Sequence, residues 1–176
     1  MGSSKQFAVV SVGSILISQT LAYFASPRTS ILSEQAFLSI LIQWLVFLPS
    51  SGMFGHEPTE RFYDFTGAST YIIVILRSLL KSNSINTSSW RQIIASTFVL
   101  LWSLRLGSFL FTRITQEKGI DSRFAKIKTD KYRFAVAWTL QGLCISLFTL
   151  YSFYVIYACS AMEFILYMTA IYLYIL

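Results

Sequence analysis

Charge is scarce in this chain. Charged residues make up 12% of the 176, against 55% hydrophobic, too few to coat a globule in water. The sequence therefore belongs in a bilayer. Cysteine is nearly missing as well. Cys144 and Cys159 both lie in apolar sequence without metal-ligand spacing, which excludes a disulfide framework and a zinc site and leaves two buried thiols. The single histidine, His56, sits in a loop beside Glu57 with no second ligand near it, so no metal site is expected. The sequence also has no glycine-rich dinucleotide fingerprint, Walker loop or nucleophile elbow.

What the chain has instead is long apolar runs. A spanning helix takes about 20 largely apolar residues, and that ruler marks out 7–24, 35–54, 62–80, 91–113, 135–158 and 162–176. The last run is only 15 residues and abuts the fifth, so it reads as a short span, a half-span or a continuation. The fold class is all-α, a polytopic transmembrane helical bundle of five to six spans. The first run has the charge and core of a signal peptide, but Tyr23 and Phe24 do not fit a small-residue cleavage site, so an uncleaved span is expected. Gln6 stands where a myristoylation signal wants Ser or Thr.

The net charge is +6, and seven of the fourteen basic residues lie between Arg113 and Arg133. Clustered in one loop between apolar runs, they signal membrane orientation rather than nucleic-acid binding. The loop 114–134 is expected in the cytosol, with the lipid bilayer as partner. Counting back through four spans puts the N-terminus and Lys5 in the cytosol too. The sequon Asn86-Thr87-Ser88 then faces the lumen, too close to the bilayer at Trp90 to be modified. Arg77, Lys81 and Arg91 gather on that lumenal side against the charge rule.

On a helix at about 100° per residue, Ser96, Ser103 and Gly107 fall on one stripe of the fourth run, and Arg105, Ser108 and Thr112 fall opposite. Small residues admit a neighbouring backbone, and an intramembrane arginine needs a carboxylate, carbonyls or a wet cavity. The fourth span is therefore expected at the centre of the bundle. Arg105 either ties helices together or, about 12 Å from Arg113 along the axis, lines a pocket floor where its planar fork suits phosphate.

Glu60, Asp64, Gly67 and Tyr71 share a helical face. Two carboxylates with a tyrosine could donate protons or polarise a carbonyl. Acids are also favoured in any first helical turn, which suits Glu60 and leaves Asp64 open, with Arg105 a possible partner. The turn at 119–124, with Asp121 and Arg123 near Arg113, is either a solvated connector or a seat for a phosphate-bearing cofactor. Glu163 falls at the lumenal interface, and the tyrosines of the last run fit lipid-facing packing.

Four motifs occur in order: 59–67 with Glu60, Asp64 and Gly67; 102–110 with Arg105 and Gly107, followed by Arg113-Ile114; Asp121-Ser122-Arg123-Phe124; and Trp138-Thr139-Leu140-Gln141-Gly142. Over roughly residues 35–145 they resemble the membrane oxidoreductase-like family with a steroid 5-alpha-reductase C-terminal-type domain (DUF1295-like). The resemblance implies reduction by NADPH of a carbon–carbon double bond beside a ketone in a steroid or lipid-like substrate, with cofactor entering from the cytosol. It implies cofactor-binding roles for Arg105, Arg113, Asp121 and Arg123, and offers Asp64, Glu60 and Tyr71 as carbonyl-activating groups.

The chain then divides into a first span and lumenal loop at 1–34, a family-like membrane core at 35–145, and an atypical apolar tail at 146–176. The family's arginine-, histidine- and asparagine-rich cofactor segment does not follow Gly142, so a C-terminally truncated form is expected. Two readings stand: a reductase-family protein of the endoplasmic reticulum membrane, or a non-catalytic integral membrane protein such as an assembly partner or transporter-like subunit.

Overall fold

The computed structural model describes residues 2–25, 31–55, 57–84, 90–116 and 121–158. Five long helices occur in order: α1 (Ser3–Ala25), α2 (Ile31–Ser50), α3 (Tyr63–Ser84), α4 (Trp90–Gln116) and α5 (Lys131–Ala158), with a short 3-10 helix at Ser122–Phe124. At about 1.5 Å per residue they run from roughly 30 to 42 Å, enough to cross a hydrocarbon core of about 30 Å. Four of them, α1, α2, α4 and α5, are also apolar enough to do so. The all-α membrane fold is as expected, while the candidate sixth run at 162–176 lies outside the described residues.

Local chemistry sets the helix ends. α2 stops at Ser50 rather than 54 because Gly52 and Gly55 take φ of 76° and 87°, a left-handed turn that glycine enters without steric cost. The returning Thr59 N–H closes that loop on the Ser50 carbonyl at 2.9 Å. α5 starts at Lys131, four residues earlier than its apolar run, because Asp130 caps it. The Asp130 carboxylate accepts the N–H of Tyr132 at 3.0 Å, satisfying a donor the first turn leaves open.

α5 is the hub, packing against α1, α2 and α3, whereas α4 packs on α3 and touches α5 only marginally. The expectation that the fourth span is central is therefore corrected. α4's small stripe does what was expected of it. Ser96, Ser103 and Gly107 are buried, and a Cβ on Gly107 would stand 2.8 Å from the Cβ of Ala68 on α3. Periodicity identified two non-lipid stripes on α4, but only one is covered among the described residues.

α3 is long enough to span but less apolar, because one of its faces is built for a polar neighbour. Gln35 on α2 donates to Ser78 on α3. Eight residues on, Gln43 donates to Thr70 at 3.0 Å. The equal spacing on two antiparallel helices makes a buried polar ladder, with Ser39 between the glutamines and bonded back to the Gln35 carbonyl at 2.9 Å. Out of water, these amides have no alternative partner of equal quality. The ladder was missed in the sequence, although the four-residue spacing of Gln35, Ser39 and Gln43 signals it.

Near the start of α5, Phe134 and Trp138 are fully buried and pack with Phe124. Tyr63 meets Trp138 edge-on at 5.2 Å and donates its hydroxyl to the Ala137 carbonyl at 3.1 Å. Phe7 of α1 lies 6.1 Å from Tyr132 of α5, so these two helices begin at the same end of the bundle. There α2 and α4 end and α3 begins.

Candidate functional site

That end carries a closed ionic plate built from three parts of the chain. α3 contributes Asp64 in its first turn and α4 contributes Arg113 in its last, each placed where the helix dipole favours its sign. The connecting segment contributes Asp121, which caps the 3-10 helix by accepting the Arg123 N–H at 2.9 Å. From that cap the Arg123 guanidinium folds back, and its Nε lies 3.0 and 2.9 Å from the two Asp121 oxygens. Its Nη2 also reaches Asp64 at 2.9 Å. Arg113 lies 3.2 Å from Asp64 and 3.6 Å from Asp121, so two carboxylates and two guanidiniums alternate in a ring.

Glu60, just before α3, fastens this ring to the loop. Its two oxygens sit 3.0 Å from Lys128 Nζ, and one of them accepts the Asp121 backbone N–H at 3.0 Å. Three carboxylates thus face three cations, and the charges cancel. They are not equally deep. The side chains of Glu60, Asp64 and Asp121 are 1%, 15% and 8% exposed, while those of Lys128, Arg113 and Arg123 are 28%, 35% and 55% exposed. Acids lie beneath and bases above.

The hydrogen bonds from the Arg123 side chain, with those from its backbone and the nearby charge of Arg113, hold the Asp121 carboxyl below its usual range despite burial. Reciprocally, Asp121 and then Asp64 hold the Arg123 guanidinium charged more firmly than usual. Charge-assisted pairs of this kind are the strong ones.

Of the sequence-predicted residues, Glu60, Asp64, Arg113, Asp121 and Arg123 all meet here. Asp64 pairs with Arg113 and Arg123, not with Arg105 as was considered, because α3 and α4 are antiparallel and the start of one lies beside the end of the other. Arg105 is exposed on the far side of α4, with Ser108 and Thr112. Tyr71 stands apart from the plate, two turns deeper, with its ring 5.4 Å from Trp102 and 5.3 Å from Phe148. Gly67 faces α5, with the Gln141 side chain where its Cβ would be. In the sequence Lys128 is one basic residue among seven in its loop, and its place beside Glu60 makes it part of the site. His56 and Glu163 lie outside the described residues.

Among the described residues no three His, Cys, Asp or Glu side chains are grouped to hold a metal ion. The cationic groups of the site are its guanidiniums and Lys128. Arg113 Nε is buried without a hydrogen-bond partner. An unpaired donor of this kind costs roughly 1–3 kcal/mol or more.

Comparison with curated proteins finds no match, and comparison with solved structures finds none. The family described as "Protein of unknown function (DUF1295)" matches residues 55–175, a stretch that begins after α2 and takes in every residue of the plate, and this membrane protein belongs to that family.

Proposed function

We infer that the chain is a membrane-embedded reductase-family protein that binds NADPH at the ionic plate and acts on a double bond beside a carbonyl in a steroid or other lipid-like substrate. The observation that carries this reading is the layering of the plate. Buried carboxylates orient half-exposed guanidiniums outward, which is how a fork-shaped phosphate receptor is preorganised. The residues fit the cofactor in a second respect, since the unpaired Arg113 Nε is a buried donor suited to a phosphate oxygen.

In this reading Arg113 and Arg123 hold phosphate. Asp121 and Asp64 position the two guanidiniums, and Glu60 with Lys128 keeps the loop in place. NADPH supplies hydride when bound. Glu60 and Asp64 are engaged with cations and act as acceptors, so of the three candidate groups Tyr71 is the one whose hydroxyl polarises a substrate carbonyl, from within the span. Arg61, Lys126, Lys131 and Arg133 are exposed at the plate end, which favours the cytosolic side for the plate and the N-terminus. The endoplasmic reticulum is the membrane proposed.

Purified full chain in lipid nanodiscs, titrated with NADPH and followed by nicotinamide fluorescence, tests the reading. Saturable binding, weakened at least about tenfold in Arg123→Ala, is expected from the loss of one charged phosphate contact. Absence of binding by the unaltered chain overturns it. The charge balance of the plate favours a second reading, a non-catalytic membrane protein in which the plate only ties the loop to the bundle. Arg123→Ala would then lower thermal stability in a protein that never binds NADPH.

A further inference from the structure

We propose that the outer face of α4 is a docking surface for a transmembrane helix of another protein that carries an aspartate or glutamate near mid-span. Arg105 begins the case. It lies 15 residues from Trp90 and 11 from Gln116 on α4, which puts it roughly 22 and 16 Å from the two ends of the helix. Arg113, in the plate, is about 12 Å away along the same axis. Arg105 is exposed, and among the described residues no hydrogen bond or ion pair reaches its guanidinium. A guanidinium at this depth is costly against lipid chains, and a carboxylate is one of the partners that relieves the cost.

The surface around Arg105 is not built for lipid. Thr97, Leu101, Arg105, Ser108, Thr112 and Thr115 fall within an arc of about 80° on the wheel, and all six are exposed. Each of the four hydroxyls bonds back to its own helix, Thr97 to the Ile93 carbonyl and Ser108 to that of Arg105, with Thr112 and Thr115 bonded likewise to Ser108 and Phe111. The face is therefore small and smooth, as helix-facing seams in membranes are. It lies opposite the Ser96, Ser103 and Gly107 stripe that already packs on α3.

Charge complementarity selects the occupant. A lipid-facing helix needs no hydroxyl seam, and among the described residues of a second copy no helix carries an unpaired carboxylate. Among the described residues Glu34, Glu60, Asp64, Asp121 and Asp130 are each paired with a base, and Glu57 lies in the loop before α3. An acid at mid-span on a helix of another protein would sit level with Arg105 and supply the opposite charge. This inference goes beyond the reductase reading and holds whether or not the chain binds NADPH.

The test places the full chain, donor-labelled at its amino terminus, in phosphatidylcholine vesicles with acceptor-labelled polyleucine peptides of spanning length whose central residue is Asp, Asn or Leu. Energy transfer to the Asp peptide about tenfold more efficient per peptide than to the Leu peptide is expected, with Asn between them. Arg105→Leu should reduce the Asp peptide to the level of the Leu peptide. Ser108→Leu with Thr112→Leu should also lower transfer, while leaving Arg105 and the ionic plate in place. Equal transfer to Asp and Leu peptides overturns the proposal, whether lipid or the chain's own sequence covers Arg105. So does transfer between differently labelled copies of the chain, without peptide, that Arg105→Leu abolishes.

Discussion

Glu60 and Lys128 stand 68 residues apart and meet with both carboxylate oxygens 3.0 Å from the ammonium. The pair is lopsided. Glu60 is buried and Lys128 is not, and this asymmetry predicts which half can be removed.

Lys128→Met leaves the Glu60 carboxylate in a dry site with only the Asp121 N–H for a partner. It should lower unfolding free energy by about 3 kcal/mol, the usual cost of stranding a buried charge. Glu60→Gln keeps an oxygen for that N–H and leaves an ammonium able to turn to water, so it should lose only about 1 kcal/mol. Thermal unfolding in one detergent ranks the two. The reverse order would mean that Glu60, not Lys128, is the less replaceable partner.

Acid should loosen the plate in a defined direction. The Asp121 carboxyl is held below its ordinary value by Arg123, so the folded chain binds fewer protons there than the unfolded one. Its contribution is complete above the ordinary carboxylate value near 4 and is lost as pH falls through the depressed folded value. Proteolysis of the 121–130 loop should therefore be flat from neutral pH to about 5 and should rise below that range. Asp121→Asn should show fast cleavage already at pH 7 and a shallower acid limb. The experiment calls for an acid-stable protease and uncleaved helices as the internal standard.

Much of this architecture was legible in the sequence. The apolar runs located the five helices, and the basic loop marked the end where the plate lies. Helix ends moved by up to four residues where Gly52 and Asp130 impose turns and caps that hydropathy does not register. The partner of Asp64 was recoverable as well, because consecutive antiparallel spans place the first turn of α3 beside the last turn of α4, which points to Arg113 rather than Arg105. The central place given to α4 had no such basis. Periodicity tells which residues share a face, whereas the neighbour covering that face is a property of the whole bundle.

Close helix approaches give a third expectation. A Cβ on Gly142 would stand 2.9 Å from the Ile40 backbone on α2, whereas one on Gly107 would meet only the Ala68 side chain. Gly142→Ala should thus cost about 1–3 kcal/mol by pushing α2 from α5. Gly107→Ala should cost less and be recovered in part by Ala68→Gly, which clears the opposing methyl. Unfolding of the four variants decides it, and the idea fails if Ala68→Gly gives Gly107→Ala no relief.

The polar ladder supplies the last expectation, because its members are unequal. Thr70 accepts from Gln43 and donates to the Thr66 carbonyl at 2.7 Å, and Gln43 already has one buried oxygen without a hydrogen-bond partner. Thr70→Val removes the acceptor and strands the amide N–H of a fully buried glutamine, which should cost about 1–2 kcal/mol. Gln43→Leu removes the amide together with its orphaned oxygen, and Thr70 keeps its bond to Thr66, so that change should be nearly neutral. With Gln43→Leu in place, Thr70→Val has no amide left to strand and should become inexpensive. The double-mutant cycle should accordingly give a coupling of about 0.6–1.7 kcal/mol, from the average to the largest value found for interhelical hydrogen bonds in membranes. Additive losses would show that the Gln43–Thr70 bond adds nothing to the packing of α2 on α3. A stabilised Gln43→Leu would show that the ladder is kept for the register it imposes between the two helices rather than for the energy it adds.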